Sequence, residues 1–458
     1  MAIRMSDETR DVGLSRFFNA LRECQPFRVS GRVVKVVGLV IESMGPPAHV
    51  GELCYIYMSN QRSPIEAEVV GFHEGKTLLV ALDDMSGIEP GSEVVSSGRV
   101  PTALVGEALL GRVIDGLGRP LDVGEPIMSG ERYPLFSAPP GPLERMRITE
   151  PLALGVRAVD ATATCGKGQR LGIFSGSGVG KSTLLGMFAR NTNADVNVIA
   201  LIGERGREVR EFIEKDLGPD GLKRSVVVVV TSDQAAIIRL RGAYLATTIA
   251  EYFRDVGCDV LLMMDSLTRF AMAQREIGLA IGEPPTTRGY TPSVFSAMPK
   301  LLERAGNSAT GSITGLYTVL VEADDMNEPI SDAARSILDG HIVLSRELAM
   351  ANHYPAIDVL ASISRVMIDV VDESQLHAAS RLREAMSIHR EASDLINIGA
   401  YVPGSNPKID WARSKIDEIN QFLKQSINEK ADCSATVENL KRLFKDLPEQ
   451  DRKPADDL

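Results

Sequence analysis

The chain has 458 residues, 44% of them hydrophobic, and a formal net charge of −11. This length suffices for about two to four domains with a large buried core. The absence of a dense Lys/Arg tract disfavours a broad nucleic-acid-binding surface. No apolar run approaches the ~20 residues that span a bilayer, and residues 1–10 lack the apolar core of a signal peptide. The five cysteines are widely spaced and form no C-x-x-C pair, so a soluble cytoplasmic protein with reduced thiols is predicted.

The first two segments differ in pattern. Residues 1–24 contain apolar side chains on one helical face, which predicts an amphipathic segment that either packs on its own domain or docks on another subunit. Residues 25–95 consist of short β-type runs separated by Gly, Pro, Asn and Asp turns, which predicts a small closed β-barrel. The apolar helical positions are Val12, Leu14, Phe17, Phe18 and Leu21, and the β-type runs are 29–36, 55–58, 67–72 and 77–82.

Residues 96–372 are predicted to form an α/β domain. Short Val/Ile/Leu runs alternate there with longer helical patterns, as in a parallel sheet covered by helices on both faces. Ligands of such sheets bind beyond the carboxyl ends of the strands, so the residues after each run are candidates for a site. The runs are 171–174, 196–202, 225–231, 260–264, 312–321 and 341–345.

A glycine-rich loop follows the first of these runs and leads into a helical pattern. Glycines permit the close backbone approach that a phosphate group requires, and the helix start adds partial positive charge. Lys181 is then placed to reach the outer phosphates and Ser182 to hold Mg²⁺. Ser175 replaces the first glycine of the G-x-x-x-x-G-K-[ST] pattern. The predicted nucleotide-binding residues are Gly176, Ser177, Gly178, Val179, Gly180, Lys181, Ser182 and Thr183.

Charged residues follow two further strands. Glu204 and Arg205 come after the run 196–202, where a carboxylate can orient water toward a γ-phosphate and an arginine can balance phosphate charge. Asp265 ends the run 260–264, the place where a P-loop site holds Mg²⁺. Each cluster alone is weak evidence, because solvated helix starts and buried strand ends also carry charges, but their order after the glycine-rich loop strengthens the prediction.

The remaining sequence adds two side chains of interest and a helical end. Tyr354 could stack on an adenine ring, and Arg365 could lie at a surface that faces a neighbour; a half-buried tyrosine and a surface ion pair are the alternatives. Residues 373–458 contain three apolar stripes at helical spacing, which predicts a C-terminal helical domain with an acidic end. Trp411 is predicted to be a packing anchor.

These motifs together resemble a known family. Residues 176–183, 203–205, 265–269 and 354–358 look like the catalytic-subunit lineage of the rotary ATP synthases. Within that lineage, residues 203–214, 282–285, 337–342 and 362–367 are similar to the type III protein export ATPases, which comprise the flagellar export ATPase and its virulence-secretion relatives. The segments 395–401 and 404–407 look more like the flagellar enzymes.

The resemblance implies a fold, cofactors and residue roles. It implies a RecA-like P-loop NTPase core with an N-terminal β-barrel and a C-terminal helical domain, assembled as a homohexamer that hydrolyses ATP with Mg²⁺ between neighbours. Carried over by position, Glu204 is the catalytic carboxylate and Arg365 the finger inserted from the neighbour. The other roles are phosphate binding by Lys181 and Arg205, metal binding by Ser182 and Asp265, support of the site by Arg269, and adenine binding by Tyr354.

The resemblance also implies partners and a location. These are a stator-like regulatory subunit bound through residues 1–24, a central stalk protein, the export gate and chaperone–cargo complexes, at the cytoplasmic side of the inner membrane. A rotary synthase subunit is a rival interpretation, but Glu204 and Arg365 occur here in one chain. An RNA translocase of the termination-factor type is another, but residues 28–94 contain few aromatic or clustered basic residues. A scaffold that merely binds nucleotide is a third, disfavoured because both catalytic charges are present.

Overall fold

A computed structural model describes residues 29–58, 63–321 and 325–445. The predicted amphipathic segment 1–24 and the acidic end of the chain lie outside these residues. The chain divides into two compact units, residues 1–101 and 102–458.

The first unit contains a closed antiparallel barrel of six strands in the order β1-β2-β5-β4-β3-β6. Alternating side chains point inward, and those of Ile41, Ile56, Val69 and Leu79 are fully buried, so one face of each strand supplies the core. Two short strands, β2 and β6, were absent from the sequence prediction. The strands are β1 (Ser30–Val37), β2 (Val40–Met44), β3 (Leu53–Tyr57), β4 (Ile65–His73), β5 (Lys76–Ala81) and β6 (Glu93–Ser96).

The second unit is built on a nine-stranded sheet in the order β19-β18-β12-β17-β15-β13-β14-β8, with β16 paired to β17. All pairs are parallel except β18–β19 and β16–β17. Two small sheets, β7–β9 and β10–β11, lie outside it. The strands are β7 (Thr102–Val105), β8 (Val113–Asp115), β9 (Glu131–Pro134), β10 (Pro151–Leu152), β11 (Cys165–Gly166), β12 (Arg170–Ser175), β13 (Val196–Glu204), β14 (Ser225–Thr231), β15 (Asp259–Asp265), β16 (Gly306–Asn307), β17 (Ser312–Leu320), β18 (Gly340–Leu344) and β19 (Ile357–Ser364).

Helices cover this sheet and form the C-terminal region. Central strands such as β14 are buried on both faces, which explains their unbroken apolar sequence. A π-helical turn, Phe212–Leu217, separates α3 from α4. The helices are α1 (Arg157–Thr162), α2 (Lys181–Asn191), α3 (Gly206–Glu211), α4 (Gly218–Lys223), α5 (Ala236–Asp255), α6 (Leu267–Ala280), α7 (Pro292–Leu302), α8 (Pro329–Ile337), α9 (Arg346–Met350), α10 (Met367–Val370), α11 (Glu373–Asn397), α12 (Pro407–Leu423) and α13 (Cys433–Leu443).

The three C-terminal helices begin at side-chain caps and pack on one another. Asp372 accepts a hydrogen bond from the Gln375 N–H at 2.7 Å and Asp432 one from the Ala435 N–H at 2.9 Å, which satisfies N–H groups that a helix start leaves free. Arg381 of α11 lies over the ring of Trp411 of α12, 4.6 Å from its centroid. Trp411 therefore packs two helices together, as predicted.

The described residues contain no helix long and apolar enough to cross a membrane. Cys54, Cys165, Cys258 and Cys433 are free thiols. The β-barrel, the helix-covered parallel sheet and the helical C-terminal region together confirm the predicted fold class.

Candidate active site

The glycine-rich loop joins β12 to α2 in the predicted place. Gly178 and Gly180 adopt φ angles of 79° and 95°, in the left-handed region that side chains disfavour. Gly180 directly precedes α2, an 11-residue helix that begins at Lys181. The start of a helix preceded by such a loop presents backbone N–H groups and partial positive charge, which suit a phosphate group.

Lys181 lies between two carboxylates. Its ammonium nitrogen is 2.5 Å from Asp265 Oδ1 and 3.5 Å from Glu204 Oε1. Asp265 and Glu204 end the adjacent parallel strands β15 and β13, so the sheet itself brings both acids to the lysine. Thr318, on β17, donates a hydrogen bond to Asp265 Oδ1 at 2.7 Å. Sequence reasoning missed Thr318, because it lies inside a strand rather than after one.

Burial and charge shift two pKa values in this cluster. Burial disfavours the charged form of Lys181, but the carboxylates of Asp265 and Glu204 outweigh it and raise its pKa. Burial, together with the negative charge of Asp265, raises the pKa of Glu204 to about 7 although Lys181 opposes the change. The site therefore combines a fixed positive charge with a carboxyl group that titrates near neutrality.

The side chains next to Lys181 fit a magnesium ion bound together with phosphate. Mg²⁺ in nucleotide sites is held by one or two carboxylates and hydroxyls in addition to phosphate oxygens. Ser182 follows Lys181 with an exposed side chain, and Asp265 supplies a carboxylate that is 4% exposed. Both are the oxygen ligands that this ion prefers.

A cavity of about 510 Å³ opens beside the loop and α2. The Tyr354 ring forms part of its wall, and a Cβ atom added to Gly180 would lie 3.7 Å from Tyr354 Cε1. Its walls are predominantly apolar, which suits a flat base. The segment 425–427 also lines it, and no sequence motif indicated this contribution. The lining residues are Gly178, Val179, Gly180, Thr183, Leu184, Met187, Leu344, Tyr354, Pro355, Ala356, Gln425, Ser426 and Ile427.

Three predicted arginines occupy different places. The Arg205 side chain is 80% exposed and lies 3.5 Å from Glu208. Arg269 packs under the end of β13, where a Cβ atom on Gly203 would come within 2.9 Å of Arg269 Cβ. Arg365 follows β19 and is exposed. The structure thus brings Lys181, Glu204 and Asp265 together, with Arg269 beneath them, and leaves Arg205 and Arg365 outside the cluster.

Arg365 and the glycine-rich loop lie at opposite ends of the strands of the sheet. The Asp339 N–H donates to Arg170 O at 2.9 Å and the Arg365 N–H to Asp339 O at 3.0 Å, so Arg365 is level with the start of β12. The loop begins at the other end of that strand, at Ser175. Strands rise about 3.3 Å per residue, so a distance of roughly 17 Å along the sheet separates the two levels.

A glycine-rich loop, a lysine at a helix start and two carboxylates at the ends of adjacent parallel strands define a P-loop nucleotide hydrolase. Three family models match the chain accordingly. The ATP synthase alpha/beta family beta-barrel domain covers residues 33–98, and the nucleotide-binding domain of the same family covers 155–364. The T3SS EscN ATPase C-terminal domain covers residues 371–442.

Individual relatives show to which family of P-loop nucleotide hydrolases the chain belongs. The chain is 56% identical to the flagellum-specific ATP synthase of Bacillus subtilis, over 88% of this chain and 92% of the relative. It is 52% identical to the type 3 secretion system ATPase of Xanthomonas euvesicatoria, over 90% and 93%. The chain therefore belongs to the family of flagellum-specific and type III secretion ATPases. It is a P-loop ATPase that binds ATP, and the family resemblance found in the sequence is confirmed.

Solved structures agree with this assignment. The assembled ATPase EscN from the type III secretion system of enteropathogenic E. coli matches with a TM-score of 0.86 at 47% identity, over 90% of this chain and 99% of that one. EscN in complex with its central stalk EscO matches with a TM-score of 0.83 at 46% identity, over the same shares.

Proposed function

We propose that this chain hydrolyses ATP with Mg²⁺ at the interfaces of a homohexamer and so drives flagellar type III protein export. The observation that carries the hydrolytic part is Lys181 held between Glu204 and Asp265 at the ends of β13 and β15. These are the charges required to bind a γ-phosphate, position a metal ion and direct water at phosphorus.

Each predicted residue takes a defined role in this proposal. The backbone of residues 176–183 and the Lys181 ammonium bind the phosphates, and Ser182 and Asp265 hold the metal, which when bound neutralises phosphate charge. Glu204 orients the attacking water, and Tyr354 covers the base. Arg269 supports the end of β13. Arg205 is exposed and can reach a phosphate only if its side chain turns from Glu208.

Arg365 completes the site of a neighbouring subunit. It lies level with the start of β12, far from its own loop, and its side chain is exposed. An arginine so placed can act only on a nucleotide bound by another chain. Because Glu204 and Arg365 occur in one sequence, identical subunits arranged in a ring can build every site. The similarity to assembled EscN supports this arrangement.

The partners and location follow from the same proposal. The EscN–EscO complex supports a central stalk protein in the ring. Residues 1–24 bind a stator-like regulator, and the helical region from residue 373 engages the export gate and chaperone–cargo complexes. The ring works in the cytoplasm, peripheral to the inner membrane, and takes no nucleic acid. The functional divisions of the chain in this proposal are residues 1–24, 25–95, 96–372 and 373–458.

Flagellar export is the proposed system, and virulence secretion is the alternative. The segments 395–401 and 404–407 favour flagellar export. The 52% identity to the type 3 secretion system ATPase of Xanthomonas euvesicatoria supports virulence secretion as the alternative. Expression of the gene in a motile strain that lacks its own flagellar export ATPase tests this. Restored swimming supports the flagellar assignment, and restored effector secretion in a virulence-secretion mutant, without restored swimming, overturns it.

The shared site is tested with two inactive variants. Glu204→Gln lacks the carboxylate and Arg365→Ala lacks the finger, so each alone should hydrolyse ATP very slowly while still binding it. In an equimolar mixture, roughly one interface in four of a randomly mixed ring pairs an intact carboxylate with an intact arginine. We expect recovery of about a quarter of the wild-type rate.

Two results would contradict these proposed roles of Arg365 and Glu204. If the mixture stays inactive while its chains coassemble, the two residues do not meet across an interface. Unchanged turnover in Glu204→Gln alone would show that another group directs the water.

A further inference from the structure

The segment that carries Arg365 is fixed to the start of β12, the strand that leads into the chain's own glycine-rich loop. Gln169 immediately precedes β12 and is fully buried. Its side-chain N–H₂ donates to Asp339 O at 3.1 Å and to Ser364 Oγ at 3.0 Å. One buried amide therefore contacts both the residue before Arg365 and the carbonyl group that accepts from the Arg365 N–H.

Asp339 is the second part of this contact. Its carboxylate accepts hydrogen bonds from the Arg170 N–H at 3.1 Å and from the Arg170 guanidinium at 3.1 and 3.2 Å. Its own N–H donates to Arg170 O at 2.9 Å, and its carbonyl accepts from the Arg365 N–H at 3.0 Å. Asp339 thus links Arg170 directly to Arg365 through its backbone, while its side chain fixes that backbone in place.

Close packing restricts the same segment. A Cβ atom on Gly340, the next residue, would lie 2.4 Å from Ile363 O and 3.0 Å from Ser364 Cα. Both are backbone atoms of β19 that cannot move aside without displacing Arg365. The strand β19 therefore lies directly against Gly340.

We propose that Gln169 and Asp339 are positioning residues for Arg365. Through them, β12, the strand that leads into this chain's own phosphate loop, also fixes the position of the arginine that acts in the neighbouring subunit's site. The inference rests on the proposed role of Arg365. Its basis is geometric: Arg365 is exposed, directly follows the edge strand β19, and donates its backbone N–H to Asp339 O. Transition-state charge is stabilised only when a donor is held in place, and a displacement of about 1 Å can cost 100-fold in rate.

A different role for Asp339 has to be distinguished. Since Asp339 binds Arg170 at the start of β12, it could instead support the phosphate loop of its own chain. The two roles place the defect in different subunits: a lost finger position harms the neighbour's site, whereas a disturbed loop harms the chain's own site.

Mixing experiments separate these roles. We expect Asp339→Ala to lower kcat about 10- to 100-fold and to change KM for ATP less than about threefold, because the base and phosphate contacts remain. A mixture of Asp339→Ala with Glu204→Gln should recover activity, since the Glu204→Gln chain supplies an intact finger to the intact site of its partner. A mixture of Asp339→Ala with Arg365→Ala should recover none, because both chains lack a working finger.

The opposite pattern overturns the inference: recovery with Arg365→Ala and none with Glu204→Gln would place the defect in the chain's own loop. The Arg365→Ala and Glu204→Gln mixture serves as the reference. If that reference fails, the shared site itself is wrong; if it succeeds and the Asp339 pattern does not, only the positioning role is wrong.

Three further variants distinguish the positioning role from a general loss of folding or activity. Asp339→Asn keeps the size of the side chain and one acceptor for the Arg170 N–H, so it should fold and lose less activity than Asp339→Ala. Asp220→Ala removes an exposed carboxylate that pairs with Lys223 on α4 and should leave kcat unchanged. A double variant, Asp339→Ala with Arg365→Ala, should be no slower than Arg365→Ala alone; a further loss of 10-fold would contradict action through Arg365.

Discussion

Glu204 is the residue whose surroundings most affect how the site responds to pH. Its carboxylate lies 3.5 Å from Lys181, on the other side of that lysine from the buried Asp265. Its pKa rises from an ordinary 4.5 to about 7 because of burial and the charge of Asp265. Between these two values the folded chain holds a proton that the unfolded chain has released. Folding stability from this group is therefore complete below about pH 4.5 and is lost as pH rises through 7.

This predicts a pH-dependent effect of Glu204→Gln on the nucleotide-free protein. The glutamine stays neutral at every pH, so the variant should gain about 2–3 kcal/mol of unfolding free energy over wild type between pH 5 and pH 8.5. Urea unfolding at the two pH values measures this difference. Glu214→Gln, which changes an exposed side chain that pairs with Arg210, is the control and should show the same small effect at both. A Glu204→Gln difference that does not grow with pH would contradict the raised pKa.

The connection between α12 and α13 is an element that joins the C-terminal helices to the nucleotide pocket. Gln425 is 4% exposed; its side chain accepts from the Arg157 N–H and donates to Gly155 O and Glu429 O, each at 2.9 Å. Its backbone N–H donates to Tyr354 O at 3.0 Å. The segment 425–427 therefore lines the pocket and fixes the backbone of Tyr354, another residue of its wall.

We predict that Gln425→Ala weakens both folding and nucleotide binding. The substitution leaves the Arg157 N–H and the Gly155 carbonyl without their partner, which costs about 1–3 kcal/mol of unfolding free energy. Loss of the wall contact should raise the Kd for ATP several-fold, measurable by calorimetry at a temperature where the variant is folded. Gln421→Ala, an exposed glutamine on α12, should change neither quantity. Unaltered affinity in a destabilised Gln425→Ala would show that the segment is only structural.

The elements differ in how far the sequence predicted them. Strands such as β13, β14 and β15 were predictable because burial on both faces requires an unbroken apolar run. The edge strand β19 was not, since its buried residues are 357, 359, 362 and 364, and the shift between 359 and 362 breaks the alternation that identifies a strand. The cluster of Lys181, Glu204 and Asp265 was predictable because the carboxyl ends of parallel strands lie together at one end of the sheet. Thr318 and Gln425 reach the site from the middle of a strand and from a distant connection, and no local pattern encodes such contacts.

At the scale of the whole molecule, the proposed shared site depends on the opposite placement of the phosphate loop and Arg365. The two groups lie at opposite ends of the strands of one sheet, so in this proposal a single subunit holds the nucleotide at one end and presents an arginine at the other. In that case neither end forms a complete site alone. If the loop end of each subunit faces the Arg365 end of the next around a ring, identical subunits complete each other's sites without a second type of chain.

This arrangement predicts that specific activity depends on protein concentration. An arginine finger contributes about 10³- to 10⁵-fold to the rate of phosphoryl transfer, so a monomer should hydrolyse ATP at least about 1,000-fold more slowly than the ring. Dilution of the wild type, with the rate per chain and the oligomeric state followed on the same samples by mass photometry, measures the effect. Arg365→Ala should remain slow at every concentration, because its assembled form gains nothing. A rate per chain that stays constant while the wild type dissociates to monomers would mean that one chain contains the whole site and that Arg365, which lies across the sheet from Lys181, takes no part in it.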